Sequence, residues 1–96
     1  MARYQILSWK TIPSLVEAFE GDRTVRAPLS QRFQDLIDAV AMREGASAAD
    51  AYLAGWGKGP IDERPGSAET VAQVVAAELE ASFQDILREN LPATDA

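Results

Sequence analysis

The sequence predicts a two-layer α+β sandwich, in which three helices cover one face of a small antiparallel sheet of three to four strands. Three observations predict it. Short runs with alternating polarity fill the first third of the 96-residue chain, longer runs with helical periodicity fill most of the rest, and the two kinds of run do not alternate as βαβ units. The predicted order is β-β-β-α-α-(β)-α, where the strand in parentheses is an open alternative.

The first three predicted elements are strands. Arg3–Lys10 carries apolar residues on both of its faces, which is typical of a central strand, and we expect Pro13 to end it because proline donates no ladder hydrogen bond. Ser14–Glu20 and Arg23–Ala27 flank the turn residues Gly21-Asp22, so they predict a hairpin. A short helix at Ser14–Glu20 is the alternative. The arginines of Arg23–Ala27 suit an edge strand, where charge prevents unwanted pairing.

The first predicted helix is Gln31–Glu44, with Ser30 as its N-cap and Gly45 as its C′ residue. Its apolar residues recur at i, i+3, i+4, i+7 and i+8, which places them on one helix face. They are Phe33, Leu36, Ile37, Val40 and Ala41.

A shorter helix is expected at Ala48–Ala54, capped by Ser47 and ended by Gly55. The stretch from Gly55 to Gly66 is rich in glycine and proline, so it predicts a loop or a broken strand. Within it, Ile61–Arg64 is a candidate edge strand.

The last predicted helix is Ala68–Glu89, with Ser67 as its N-cap. Its apolar stripe consists of Val71, Val75, Leu79, Phe83 and Ile86, with Val74 and Leu87 beside it. We therefore predict a single domain over residues 1–90 and a frayed C-terminal tail over residues 91–96.

Composition excludes several chemistries. The chain has no cysteine and no histidine, so it can form no disulfide, thiolate nucleophile, histidine base or conventional zinc site. Two carboxylate pairs, Asp35 with Asp38 and Asp62 with Glu63, lie where charged groups are normally solvated. We therefore predict no catalytic residues, no metal site and no cofactor. An enzyme that works through a carboxylate or Tyr52 is left as a third alternative.

Charge and hydropathy limit the partners. The net charge of −6 disfavours binding to nucleic acid or to an anionic membrane surface, because both depend on positive charge. No apolar run approaches the roughly 20 residues that cross a bilayer, and the first residues lack the pattern of a signal peptide. We expect a cytoplasmic protein.

Two candidate binding sites follow from side-chain chemistry. Trp56 lies between two glycines and close to Tyr52, and such aromatic residues often anchor a protein partner. The equally weighted alternative is that Trp56 only covers the edge of the hydrophobic core and binds no partner. Arg64, Gly66 and Ser67 precede a helix N-terminus, whose free N–H groups bind anions such as phosphate or carboxylate. The competing explanation is that these three residues only form the start of the helix.

Several of these segments together resemble the small bacterial "virulence factor" domain family. The resemblance extends over residues 3 to about 85 and is carried by Arg3-Tyr4-Gln5-Ile6-Leu7, Trp9, Ile12-Pro13, Arg32-Phe33-Gln34, Ile37-Asp38, Asp50-Ala51-Tyr52-Leu53, Trp56, Arg64-Pro65-Gly66-Ser67-Ala68 and Val71-Ala72. A similar domain lies at one end of longer proteins named conserved virulence factor C. Since stand-alone members tend to accompany one-carbon and methyl-transfer enzymes, the resemblance implies an accessory-subunit role.

The leading hypothesis is a non-catalytic protein-interaction domain, a small accessory subunit or adaptor of a larger bacterial enzyme. Its partner would be that enzyme or a second copy of the chain. The alternative hypothesis is a small-ligand module that binds a phosphate or carboxylate at the start of the last helix.

Overall fold

The computed structural model describes residues 1–45 and 48–91, which form a five-stranded antiparallel sheet and four helices. The strands are β1 (Ala2–Trp9), β2 (Ile12–Glu20), β3 (Arg23–Pro28), β4 (Trp56–Lys58) and β5 (Asp62–Arg64). The helices are α1 (Gln31–Arg43), α2 (Ala49–Ala54), α3 (Ala68–Ala81) and α4 (Phe83–Asn90). The predicted α+β class and element order are confirmed, with one strand and one helix more than expected.

The sheet has the order β3-β2-β1, and both β4 and β5 pair with the outer edge of β1. The predicted hairpin at Gly21-Asp22 is confirmed, and Gly21 has the positive φ (59°) that its turn requires. The segment 14–20 is strand rather than helix. The expectation that Pro13 ends the first strand is wrong, because β1 already ends at Trp9 and Pro13 lies within β2. Leu7 pairs with Leu15 but Ser8 pairs with Pro13, and this bulge is a place where a sheet tolerates proline.

The edge segment that follows α2 is more ordered than its glycine content predicts. The candidate strand Ile61–Arg64 is confirmed as β5, and β4 lies where the sequence predicted a loop or a broken strand. β4 pairs with the end of β1, and Trp56 lies opposite Trp9. Residues 59–61 stand opposite only two residues of β1. This bulge contains Pro60, which needs no ladder hydrogen bond on an edge strand.

Two hydrophobic cores hold the molecule together. The first lies between α3 and one face of the sheet, and its buried residues are Ala2, Val16, Ala18, Ala68, Val71, Ala72 and Val75. The second lies at the β1–β2 turn, and its buried residues are Trp9, Ile12, Phe33, Leu36, Ile37, Val40, Ala41 and Phe83. The predicted stripe of α1 is thus buried throughout in the second core.

The single helix predicted at Ala68–Glu89 is wrong, because it breaks at Ser82 into α3 and α4. The Ser82 hydroxyl donates to the Glu78 carbonyl oxygen (3.0 Å), a side-chain bond that often bends helices. Because of the break, α3 packs along the sheet and α4 packs into the second core. There, Phe83 packs edge-on against Phe33 with ring centroids 4.9 Å apart.

The helix ends match the sequence in part. Ser67 caps α3 as predicted, since its Oγ accepts from the Thr70 N–H (3.2 Å). Gly45 follows α1 with a φ of 72°, as a C′ glycine should. Ser30 stands at the N-cap position of α1, but its side chain donates to Glu80 (2.8 Å) instead of capping the helix. The predicted cap Ser47 and residues 92–96 of the predicted tail lie outside the described residues.

Within residues 1–45 and 48–91, no helix is both long enough and apolar enough to cross a membrane.

The close packing of Gly55 on the Trp9 indole gives a test of the second core. A Cβ atom at Gly55 would lie 2.4 Å from Trp9 Nε1, so we expect Gly55→Ala to lower the free energy of unfolding by about 1–3 kcal/mol. Urea denaturation followed by tryptophan fluorescence measures this change. Gly57→Ala is the matched control, because a Cβ there would meet nothing within 4 Å. Equal stability of the two variants would contradict the packing.

Candidate functional site

The structure brings the two predicted partner anchors together. The Tyr52 ring stacks on Trp9 at 5.9 Å and meets the Trp56 ring edge-on at 6.0 Å, both measured between centroids. Trp9 Nε1 donates to the Tyr52 carbonyl oxygen (2.7 Å), and the Gln34 side-chain amide donates to the Tyr52 hydroxyl (3.1 Å). Tyr52 and Trp56 are both half-buried and pack against the second core. Both rings are therefore held rigidly and are only partly open to solvent.

Two exposed apolar side chains come from the helices that carry or flank Tyr52: Met42 near the end of α1, and Leu53, which follows Tyr52 on α2. Met42 is 73% exposed and Leu53 is 65% exposed. Met42 and Tyr52 line a shallow depression together with Asp38 and Ala41. We call Met42, Tyr52, Leu53 and Trp56 the α1–α2 surface. Sequence reasoning missed Met42, although it directly follows the buried stripe of α1.

The predicted anion-site residues are engaged by protein groups. The Arg64 guanidinium donates twice to the Glu78 carboxylate (2.7 and 2.8 Å) and packs over the Tyr4 ring at 5.4 Å. These bonds raise the pKa of Arg64 and lower the pKa of Glu78. At the start of α3, the Ala68 N–H donates to the Glu20 carboxylate (3.2 Å). The anion site stays a prediction, and these contacts weigh against it.

Three carboxyl groups have lowered pKa values. The hydrogen bond from Gln5 is the largest cause for Glu17, and the pair with Arg64 is the cause for Glu78. Burial opposes ionisation of Glu80, but hydrogen bonds from Ser30 and Arg32 outweigh it. A general acid at neutral pH needs a raised pKa, so these three groups suit ion pairing. Across residues 1–45 and 48–91, no cluster of three acidic residues is placed to hold a metal ion.

The sheet face opposite α3 is a surface that sequence reasoning did not single out. We call it the open face. Strand alternation and register place three rows of side chains on it: Lys58, Leu7, Leu15 and Pro28; then Gln5, Glu17 and Arg26; then Glu63, Arg3, Phe19 and Thr24. These residues lie outside both hydrophobic cores. The faces of β1 could be predicted from alternation, but not which of them α3 would cover.

Glu17 is at the centre of the open face and is only 6% exposed. Its carboxylate accepts from the Gln5 amide (2.9 Å), the Arg26 Nε (2.9 Å) and the Lys58 Nζ (3.4 Å). Arg26 is on β3 and Lys58 is on β4, the strands at opposite edges of the sheet, while Gln5 is on β1 between them. One carboxylate thus ties four strands together. The side chains of Arg26 and Lys58 stay 64% and 58% exposed.

A groove of about 330 Å³ opens on the other side of the sheet, where the edge bulge faces the junction of α3 and α4. Its walls are largely apolar, including Ile6, Leu79 and Ile86, and the polar groups of Tyr4 on β1 and Asp62 on β5 also line it. Its volume is in the range of small-molecule sites. The groove faces Tyr4 and Asp62 rather than the predicted anion-binding residues.

The buried carboxylate of Glu17 predicts a pH-dependent contribution to stability. Glu17→Gln should lower the free energy of unfolding at neutral pH by about 1–3 kcal/mol, because it removes a charged hydrogen-bond acceptor. Since the pKa of Glu17 is lowered in the fold, its contribution is present above the ordinary carboxyl pKa of about 4.3 and is lost as pH falls through the lower folded value. The difference between the two proteins should therefore shrink in acid.

Denaturation curves at several pH values measure this effect. Glu63→Gln is the matched control, because Glu63 is an exposed carboxylate on the same face, and we expect it to change stability by less than about 0.5 kcal/mol. A Glu17→Gln effect that does not vary with pH would mean that the charge of Glu17 contributes nothing.

Comparison with known proteins identifies the family. Neither a curated protein nor a solved structure matches the chain. A family model described as "Virulence factor" matches residues 7–91, which covers the second hydrophobic core, the first core except Ala2, the aromatic cluster and most of the open face. The resemblance expected from the sequence is thus confirmed over most of the chain, and the chain belongs to the virulence factor family.

Proposed function

We propose that this chain is a non-catalytic protein-interaction domain, a small accessory subunit or adaptor that docks on a larger enzyme through its α1–α2 surface. The observation that carries the proposal is the exposure of Met42, which lines one depression with the half-buried Tyr52, and of Leu53, the next residue of α2. Large apolar side chains gathered around an aromatic residue are typical of the centre of a protein interface.

The α1–α2 surface is already ordered for binding. Tyr52 is fixed by hydrogen bonds at its hydroxyl and at its backbone carbonyl, and its ring lies between two tryptophans. A partner would therefore lose little side-chain entropy of this domain on docking. Met42, which is flexible and polarisable, can adapt to the partner's shape. A rigid centre with an adaptable neighbour supports a docking role.

The charges nearby support an apolar partner surface with basic groups at its margin. Asp38 lines the same depression as Met42 and is held by the Gln34 amide (2.9 Å). A lysine or arginine of the partner beside Asp38 would add favourable electrostatics and faster association.

The absence of histidine and cysteine from the sequence, together with the lowered pKa values of Glu17, Glu78 and Glu80, supports a role in binding rather than in catalysis. The family resemblance supports an enzyme of one-carbon or methyl-transfer metabolism as the larger partner.

Leu53→Asp and Met42→Asp test the proposal. Each places a charge where the partner's apolar surface would lie, so we expect each to weaken the complex by at least tenfold, or about 1.4 kcal/mol. Both side chains are exposed in the free domain, so the melting temperature should change little. Trp56→Ala is less informative, because the half-buried Trp56 ring also contributes to the second core.

The measurement is recovery of a stoichiometric partner with the tagged protein under gentle lysis, followed by titration of that purified partner. Val74→Asp is the matched control, since Val74 is an exposed apolar residue on α3, away from the α1–α2 surface. Unchanged affinity in both test variants would exclude this surface. A protein that stays without any stoichiometric partner would contradict the adaptor role itself.

A further inference from the structure

We propose that the groove beside the edge bulge binds a small apolar amine, with the ammonium group of the ligand against the Asp62 carboxylate. This groove is a different surface from the one proposed for the enzyme partner, so each proposal can fail without the other. The inference depends on the apolar lining of the groove, on the gap in the structure that forms it and on the uncompensated charge of Asp62.

The groove lies where two parts of the chain leave the middle of β1 incompletely covered. At the sheet edge, the bulge of residues 59–61 brings Gly59 and Pro60 to the groove instead of large side chains. On the helical side, Leu79 lies just before the break between α3 and α4, and Ile86 lies just after it. Ile6 of β1, which also lines the groove, is therefore only half-buried.

The lining of the groove suits the apolar body of a small ligand. Ile6, Leu79 and Ile86 are all half-buried, so a ligand would remove further apolar area of these side chains from water. Ile6 and Leu79 pack against the first core and Ile86 packs against the second, which fixes the walls before a ligand binds. The volume of about 330 Å³ is at the lower end of the range for small-molecule sites.

Asp62 supplies the charge that selects the ligand. It pairs directly with Tyr4, so both side chains lie on the groove side of the sheet. Asp62 is exposed and lines the groove. In the part of the chain that the structure describes, residues 1–45 and 48–91, every ion pair is formed by an acidic residue other than Asp62. A carboxylate without a cation beside an apolar groove favours a ligand with a positively charged end.

The neighbouring charges leave that of Asp62 in effect. Arg64 follows on the same side of β5, but its guanidinium donates to both oxygens of the Glu78 carboxylate (2.7 and 2.8 Å). The charges of Arg64 and Glu78 offset each other, so Asp62 determines the local balance. The net charge of −6 adds a long-range attraction for cations and opposes an anionic ligand. An amine is therefore favoured over a carboxylate or a phosphate.

Probes that differ only in the charge of one end test the ligand class. Phenethylamine, phenethyl alcohol and phenylpropionate have similar apolar bodies with a positive, a neutral and a negative end. We expect phenethylamine to shift the amide signals of Ile6, Gly59 and Leu79 in proton–nitrogen correlation spectra. It should bind about threefold or more tightly than the alcohol, and phenylpropionate should bind most weakly. Equal affinities for the amine and the alcohol would overturn the inference. Groove signals that change with protein concentration alone would also overturn it, because a second copy would then fill the groove.

Substitutions show whether binding takes place at the groove. Asp62→Asn should lower the affinity for phenethylamine to about that for the alcohol. Glu63→Gln is the matched control, because it removes the same charge from the adjacent residue, whose side chain lies on the open face. An equal loss in the two variants would contradict the role of Asp62.

Gly59→Leu should block the amine and the alcohol alike, because Gly59 lines the groove. A Cβ atom there would lie 3.6 Å from the Ile6 carbonyl oxygen, which is an ordinary contact, so we expect the variant to fold. Thermal unfolding checks this for every variant. Undiminished binding in folded Gly59→Leu would exclude the groove as the site.

Discussion

The hydrogen bond from the Trp9 indole to the Tyr52 carbonyl oxygen is the interaction on which the rest of the structure depends. A buried indole N–H must find an acceptor, and the chain supplies it from the end of α2. The close approach also requires Gly55, whose missing Cβ leaves room for the ring. Once α2 is fixed there, the chain leaves it at Trp56, directly opposite Trp9, so β4 begins in register on the edge of β1.

The two cores have different functions in the fold, and the break at Ser82 makes both possible. α3 covers one face of the sheet, while α4 turns into the second core and packs Phe83 on Phe33. Arg32 at the start of α1 secures this junction by donating to the Glu80 carbonyl oxygen (2.7 Å). The helical layer is therefore concentrated on α3's side and at one end of the sheet. The opposite face is left without a helix above its centre.

The periodicity of the sequence predicted those structural features that depend on a single segment of the chain. The alternation of Arg3–Lys10 gave the two faces of β1, and the stripe of α1 gave the buried face of that helix, because side-chain direction follows from local geometry. The break at Ser82 was missed because both helices keep apolar residues at helical spacing across it. The sequence left β4 open between loop and strand, because its strand character comes from pairing with β1 rather than from Trp56-Gly57-Lys58 itself. The environment of Glu17 is assembled from four strands, so no local pattern could indicate it.

The distribution of charge gives the open face its character on an acidic chain. The face carries three of the nine basic residues but only two of the fifteen acidic ones. One of those two, Glu17, is enclosed by Gln5, Arg26 and Lys58. The field outside the face is therefore more positive than over the rest of the surface, where the excess of carboxylates repels other copies of the chain. An approaching carboxylate is therefore repelled less at the open face than over the rest of the surface.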